Sequence, residues 1–195
     1  EDPAINRKYL EKAEHAIERM ISIVNDLETI SRLEHGRLTL QKTSFDIVSL
    51  TRNVFDVLEE KAGNKSIRMF FKEGSEKPVF VYADQERIRQ VLVNLVVNSI
   101  NYGQENGYVR LAFYDMDEHI LVEVKDDGIG IGEEHIGRIF ERFYRVDKGR
   151  SMKSGGTGLG LSIVKHIIEA HNQTINVRSD PGKGTTITFT LKIKE

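Results

Sequence analysis

Residues 87–102 constrain this chain more than any other stretch. They read Arg-Ile-Arg-Gln-Val-Leu-Val-Asn-Leu-Val-Val-Asn-Ser-Ile-Asn-Tyr, aliphatic at most positions between the asparagines Asn94, Asn98 and Asn101. Asp84 offers an N-cap and Gly103 a stop, which predicts a helix over 85–102. Spacings of four and then three set the asparagines on one line of one helical face. A buried amide without a partner costs about 1–3 kcal/mol. Either nearby backbone satisfies the three amides, or the stripe faces a polar ligand inside an apolar pocket wall. An Asn carbonyl oxygen suits Mg²⁺, which keeps waters and shares substrate phosphates.

Two glycine-rich stretches follow. In Val124-Lys125-Asp126-Asp127-Gly128-Ile129-Gly130-Ile131-Gly132 a strand runs into an acidic pair and alternating glycines. Such glycines permit positive φ and close backbone approach. A carboxylate buried at the strand end can accept from a base amine such as adenine N6; a surface turn is the plainer reading. In Ser154-Gly155-Gly156-Thr157-Gly158-Leu159-Gly160-Leu161 the glycines lead into a helix, where phosphates can meet backbone N–H groups. The spacing excludes a dinucleotide fingerprint, because Leu161 and Ile163 stand where its last glycine belongs. A P-loop fails too, since Val177 stands where Gly182-Lys183 would need a leading glycine.

Residues 6–35 predict a long helix. Leu10, Ile17 and Val24, with Ala13, Met20 and Leu27, form an a/d seam widened by Ile21, Ile23 and Ile30. That seam calls for a partner helix, in a bundle or a dimer. Further patterns predict strands at 38–42, 66–72, 79–83, 108–114, 119–126, 174–179 and 185–192. They also predict helices at 46–62, 133–141 and 158–170. The mixture, with the last five strands in hairpin-like succession, favours an α/β fold. We expect a two-layer α/β sandwich with helices on one face of a mixed sheet. Residues 146–155 are the best candidate for a mobile loop.

The 28 basic and 30 acidic residues leave a net charge of −2, no general reason to bind nucleic acid or an anionic membrane. No cysteine is present, which excludes disulfides and thiolate metal sites. No apolar run is long enough to span a bilayer. The chain opens Glu-Asp-Pro, and is read as a soluble piece of something longer.

In order and spacing these motifs resemble the ATP-binding domain of sensor histidine kinases, within the group sharing the Bergerat ATP-binding fold. Residues 90–102 look like the N box. Asp126-Asp127-Gly128-Ile129-Gly130-Ile131 looks like the G1 box, and residues 138–147 like the F box. Gly156-Thr157-Gly158-Leu159-Gly160-Leu161 looks like the G2 box, and Gly184-Thr185-Thr186 like the closing Gly-Thr element. The match covers 44–195. Residues 1–43 resemble the second helix of the dimerisation and histidine-phosphotransfer domain, with its linker.

The resemblance implies an ATP-dependent protein-histidine kinase fragment using ATP and Mg²⁺. Asn98 is the implied Mg²⁺ ligand, and Asp126 the adenine-binding acid. Arg145 would reach the phosphates, and Asn98 and Arg145 form the catalytic pair. Asn94, Tyr102, Gly128, Gly130, Gly156, Thr157, Gly158, Leu159, Gly160 and Thr186 complete the ATP set, Thr186 near the adenine. Residues 146–157 would form the ATP lid. Implied partners are a second copy, through the N-terminal helix, and a response regulator receiver domain. The implied setting is the cytoplasmic portion of a membrane-anchored sensor.

Three positions depart from the pattern. Asn101 stands where the family usually has Lys or Arg contacting phosphate; Lys148, Arg150 or Lys153 of the lid are candidate substitutes. Gly132 replaces a usual Pro, and Asn172-Gln173 a common Gly-Gly. None of His15, His35, His119, His135, His166 and His171 has the acidic neighbour and following Pro of the phosphoacceptor H box. The fragment is therefore not expected to phosphorylate itself. An ATP-driven clamp of the same fold and a non-catalytic interaction module are the competing readings. The hydrolytic relatives carry Glu where Asn94 stands, and the complete N, G1 and G2 boxes argue against the module.

Overall fold

A computed structural model describes residues 3–34, 39–146 and 157–193. The elements run α1 (Pro3–Glu34), β1 (Lys42–Asp46), α2 (Ile47–Gly63), β2 (Arg68–Phe71), β3 (Phe80–Asp84) and α3 (Gln85–Tyr102). They continue β4 (Tyr108–Met116), β5 (His119–Asp126), α4 (Glu133–Ile136), α5 (Gly160–Ala170), β6 (Ile175–Asp180) and β7 (Gly184–Lys192).

A five-stranded sheet in the order β2-β4-β5-β7-β6 packs against helices α2, α3 and α5. β2 runs parallel to β4, and every other neighbour is antiparallel. The α/β two-layer expectation therefore holds. Strand β5 shows why: Ile120, Val122, Val124 and Asp126 point inward and alternate with half-buried positions. Opposite them, α3 buries Ile88, Val91, Leu92, Leu95, Val96 and Ile100. Each such aliphatic side chain removed from water stabilises the fold by about 1.5–3 kcal/mol.

Two predicted elements shift. The strand expected at 38–42 forms at Lys42–Asp46, and residues 35–38 lie outside the described chain. The hairpin-like succession of the last five strands breaks at β3, which leaves the main sheet and pairs antiparallel with β1 in a two-stranded ribbon. Periodicity reports that a segment is a strand, not which strand it pairs with. The helix expected over 133–141 shortens to Glu133–Ile136, and α5 begins at Gly160, not 158.

Both central helices start on aspartates. Asp46 Oδ1 accepts from Val48 N and Val79 N, which fixes α2 against the end of the β2–β3 connection. Asp84 Oδ1 accepts from Arg87 N and its Oδ2 from Gln41 N, tying α3 to the segment before β1. Asp84 N donates to His171 Nε2, and the other ring nitrogen of His171 meets Ile167 O. His171 is thus a buried brace between α5 and α3, its pKa lowered by burial from the ordinary histidine value.

Helix α1 has two apolar faces. Leu10, Ile17, Met20 and Val24 of the seam are exposed, and Leu27 is marginally so. Ile30 is fully buried and Ile23 packs on the core, where α1 meets α5. Ile23 and Ile30 therefore do not widen the seam: they dock the helix onto its own chain and leave the a/d line open.

Candidate functional site

A cleft of about 410 Å³ opens beside α3. Its inner wall is apolar, from Leu95, Val124, Ile187, Leu161, Ile129, Ile131 and Ile139. Set into this wall are Asn98, Ser99, Asn101, Tyr102, Asp126, Thr185, Arg145 and Lys65.

Asp126 is the chemical centre. It is the last residue of β5 and only 7% exposed. Oδ1 accepts from Gly128 N at 3.0 Å and Thr185 N at 3.1 Å, and Oδ2 from Ser99 Oγ at 3.0 Å. Burial pushes its carboxyl above the ordinary carboxylate range; the three hydrogen bonds oppose this, and Asp127 adds to the rise. A carboxylate offers about four acceptor positions, so one remains for a donor entering the cleft. Asp127 turns away and accepts from Tyr108 N.

The loop after β5 is held by two backbone pairs and one serine hydroxyl. Ile129 N donates to Tyr102 O, Gly182 N to Ile129 O, and Ile131 N to Ser179 Oγ. Gly130 has φ +69°, and a Cβ there would collide with the backbone of Asp180. The alternating glycines thus permit this hairpin-to-loop contact, which fixes the cleft's floor.

The asparagine stripe divides. Asn98 and Asn101 line the cleft, whereas Asn94 lies beside α5: its Oδ1 would be 3.1 Å from a Cβ on Gly160. Among the described residues, helix α5 has no side-chain cap at its N-terminus, the kind of helix end that suits an anion. Thr157 Oγ1 accepts from Leu159 N, and Leu159 is fully buried. Gly158, at φ +76°, accepts from Phe143 N at 2.9 Å. That bond ties the two described edges of the expected lid; Gly156, Lys148, Arg150, Lys153 and the rest of residues 147–156 lie outside the described chain.

Of the sequence candidates, Asn98, Tyr102, Asp126, Gly130 and Arg145 meet in the cleft lining. Thr186 does not: Thr185 and Ile187 line the cleft, because side chains alternate along β7 and residue 186 lies on the other face. Thr185 also supplies the N–H that closes on Asp126. Sequence reasoning missed Ser99, Thr185 and Lys65. The helical phase of α3 carried the signal for Ser99; nothing local marks Lys65. His135 Nδ1 bonds Tyr144 Oη at 2.7 Å, a packing role. His35 and the His15 side chain lie outside the described residues.

Residues 83–195 match the family described as histidine kinase-, DNA gyrase B-, and HSP90-like ATPase. The chain is 38% identical over 200 residues to the sensor histidine kinase WalK of Bacillus subtilis (strain 168), covering 100% of this chain and 32% of WalK. It therefore spans about a third of that relative's length. Full-length ShkA in complex with AMPPNP superposes with a TM-score of 0.83 at 28% identity, over 96% of this chain and 39% of that one. Histidine kinase ThkA in complex with the response regulator TrrA superposes with a TM-score of 0.77 at 30% identity, over 100% of this chain and 53% of that one. An acid-based cleft under an asparagine-bearing helix, the family match and these relatives converge: the chain belongs to the histidine kinase-, DNA gyrase B-, and HSP90-like ATPase family, on its sensor histidine kinase branch.

Proposed function

We propose that this chain binds Mg-ATP in the α3 cleft and transfers the γ-phosphoryl group to a histidine on an H-box helix outside these residues. The observation that carries this reading is Asp126, a buried carboxylate with three acceptor positions filled and one left, in an apolar slot. Adenine fits it: the base is a flat apolar ligand with one amine to donate. Leu95, Val124 and Ile187 exclude water from the base, which strengthens that hydrogen bond.

The phosphates then extend toward Asn98, Arg145 and the uncapped start of α5. Asn98 offers a neutral oxygen suited to Mg²⁺, and among the described residues no His, Cys, Asp or Glu cluster provides an all-protein metal site. Bound there with the nucleotide, the ion supplies neutralisation of β- and γ-phosphate charge. Arg145 stabilises charge developing on the γ-phosphoryl oxygens. In the transfer, the unprotonated nitrogen of the neutral acceptor imidazole gives its lone pair to the γ-phosphorus, the bond from γ-phosphorus to its bridging oxygen breaks with its electron pair leaving on ADP, and the proton on the other ring nitrogen is released to solvent. Asn94 cannot serve as a base for water, which favours the histidine acceptor over hydrolysis.

The exposed seam of α1 pairs with a second copy in the parent protein, and a response regulator receives the phosphoryl group. Among the described residues no helix is long and apolar enough to cross a membrane. The parent would be a membrane-anchored sensor, with this portion on the cytoplasmic side.

The test supplies γ-labelled ATP together with a separate helical domain carrying the H box. Acid-labile label on that domain, lost in Asn98→Ala, is the expected result. Label on this chain itself, or fast phosphate release without an acceptor, overturns it.

A further inference from the structure

Lys65 is the feature of the cleft that the motifs do not account for. It lies in the turn between α2 and β2, 25 residues before the nearest motif, the 90–102 stretch, yet it lines the cleft beside Asn101 and Tyr102. Its backbone is held on both sides. Lys65 N donates to Ala62 O, and Lys65 O accepts from Asn106 N. The next residue, Ser66, and Asn106 both take left-handed backbone conformations, with φ of 53° and 61°. Asn visits that region readily, but a serine such as Ser66 is held there by its surroundings. The mount is therefore rigid, although the side chain belongs to a lysine.

The ammonium is equally fixed. Nζ donates to Ile100 O at 2.9 Å and Asn101 O at 2.7 Å, two carbonyls in the last turn of α3. An ammonium has three donors, so one remains. Burial lowers its pKa, with Lys61 acting in the same direction and Glu105 against it. Among the described residues, the cleft is lined by two cations, Lys65 and Arg145, and one carboxylate, Asp126.

We propose that Lys65 is a nucleotide-binding residue, its ammonium held at the C-terminal end of α3 so that its third N–H contacts the phosphate chain. The position carries weight because Asn101, the cleft-facing residue at the same helix end, has no charge. The lysine takes up that task from a different segment of the chain. This rests on the ATP reading above. A plain helix-end role is the rival, in which the cation only complements the carbonyls and the helix dipole.

Calorimetry with Mg-ATP, Mg-ADP and adenosine separates them. Lys65→Met is expected to weaken Mg-ATP and Mg-ADP about tenfold, the scale of one charge-assisted hydrogen bond. Adenosine affinity should stay within about twofold, and raised salt should shrink the difference between variant and wild type. Lys65→Arg should recover most of the loss. If the Met variant does not fold, Lys65→Gln serves, since it keeps donors without charge. Equal losses for adenosine and ADP, or no loss for either, overturn the proposal while leaving ATP binding intact. A wild-type protein that binds no nucleotide overturns the ATP reading itself, and this inference with it.

Discussion

Asp126→Asn should separate binding from stability. The substitution is isosteric. Its Oδ1 can still accept from Gly128 N and Thr185 N, now at 3.0 and 3.1 Å, and the Ser99 hydroxyl can turn to accept from the new amide. The pocket wall therefore survives, but the group presented to the cleft changes from acceptor to donor. Against an adenine amine that leaves donor facing donor, a loss of about 1–3 kcal/mol or about 5- to 150-fold in Kd. Stability should move the other way. The folded state raises this carboxyl above its ordinary range, mainly by burial. Its favourable contribution is thus present at low pH and is lost as pH rises through the folded pKa. Asn carries no such dependence. Without nucleotide, the variant should melt at or above wild type near neutral pH, and the gap should narrow toward about pH 4. Calorimetry and melts over that range test both halves. Unchanged ATP affinity would remove Asp126 from the site. A loss of affinity with a clearly lower neutral melting temperature would mean that the pocket had collapsed, refuting the argument.

Two further outcomes follow from the geometry. Gly158→Ala places a Cβ 2.9 Å from Phe143 Cα at a residue with φ +76°, and should destabilise the fold by about 1–3 kcal/mol; a urea-melt difference near zero would show that the Phe143–Gly158 tie does not hold the loop edges. His171 needs an unprotonated Nε2 to accept from Asp84 N, and faces Lys42 and Asp84. Its lowered pKa means that stability is fully present above the ordinary histidine range and declines as pH falls through it. His171→Gln should flatten that part of the stability–pH curve, and an unchanged slope would assign it to other groups.

The sequence by itself determined the local elements and the chemical vocabulary of the site. Asp84 and Gly103 bound α3 because capping is a matter of neighbours in the chain. The positions of Asn98 and Asp126 were legible because a helix repeats every 3.6 residues and a strand every two. Only the tertiary structure decided how these pieces close. Thr185 reaches Asp126 across 59 residues, and a one-residue change of phase on β7 moves the cleft contact from Thr186 to Thr185. β3 leaves the main sheet for β1, and Ile30 leaves the seam for α5, because each choice depends on what stands opposite. Lys65 carries no local signal, since its place is set by a turn on one side and a helix end 35 residues away on the other. Local pattern fixes which face a residue presents; the free energy of burial and pairing, which sums over the whole chain, fixes what that face meets.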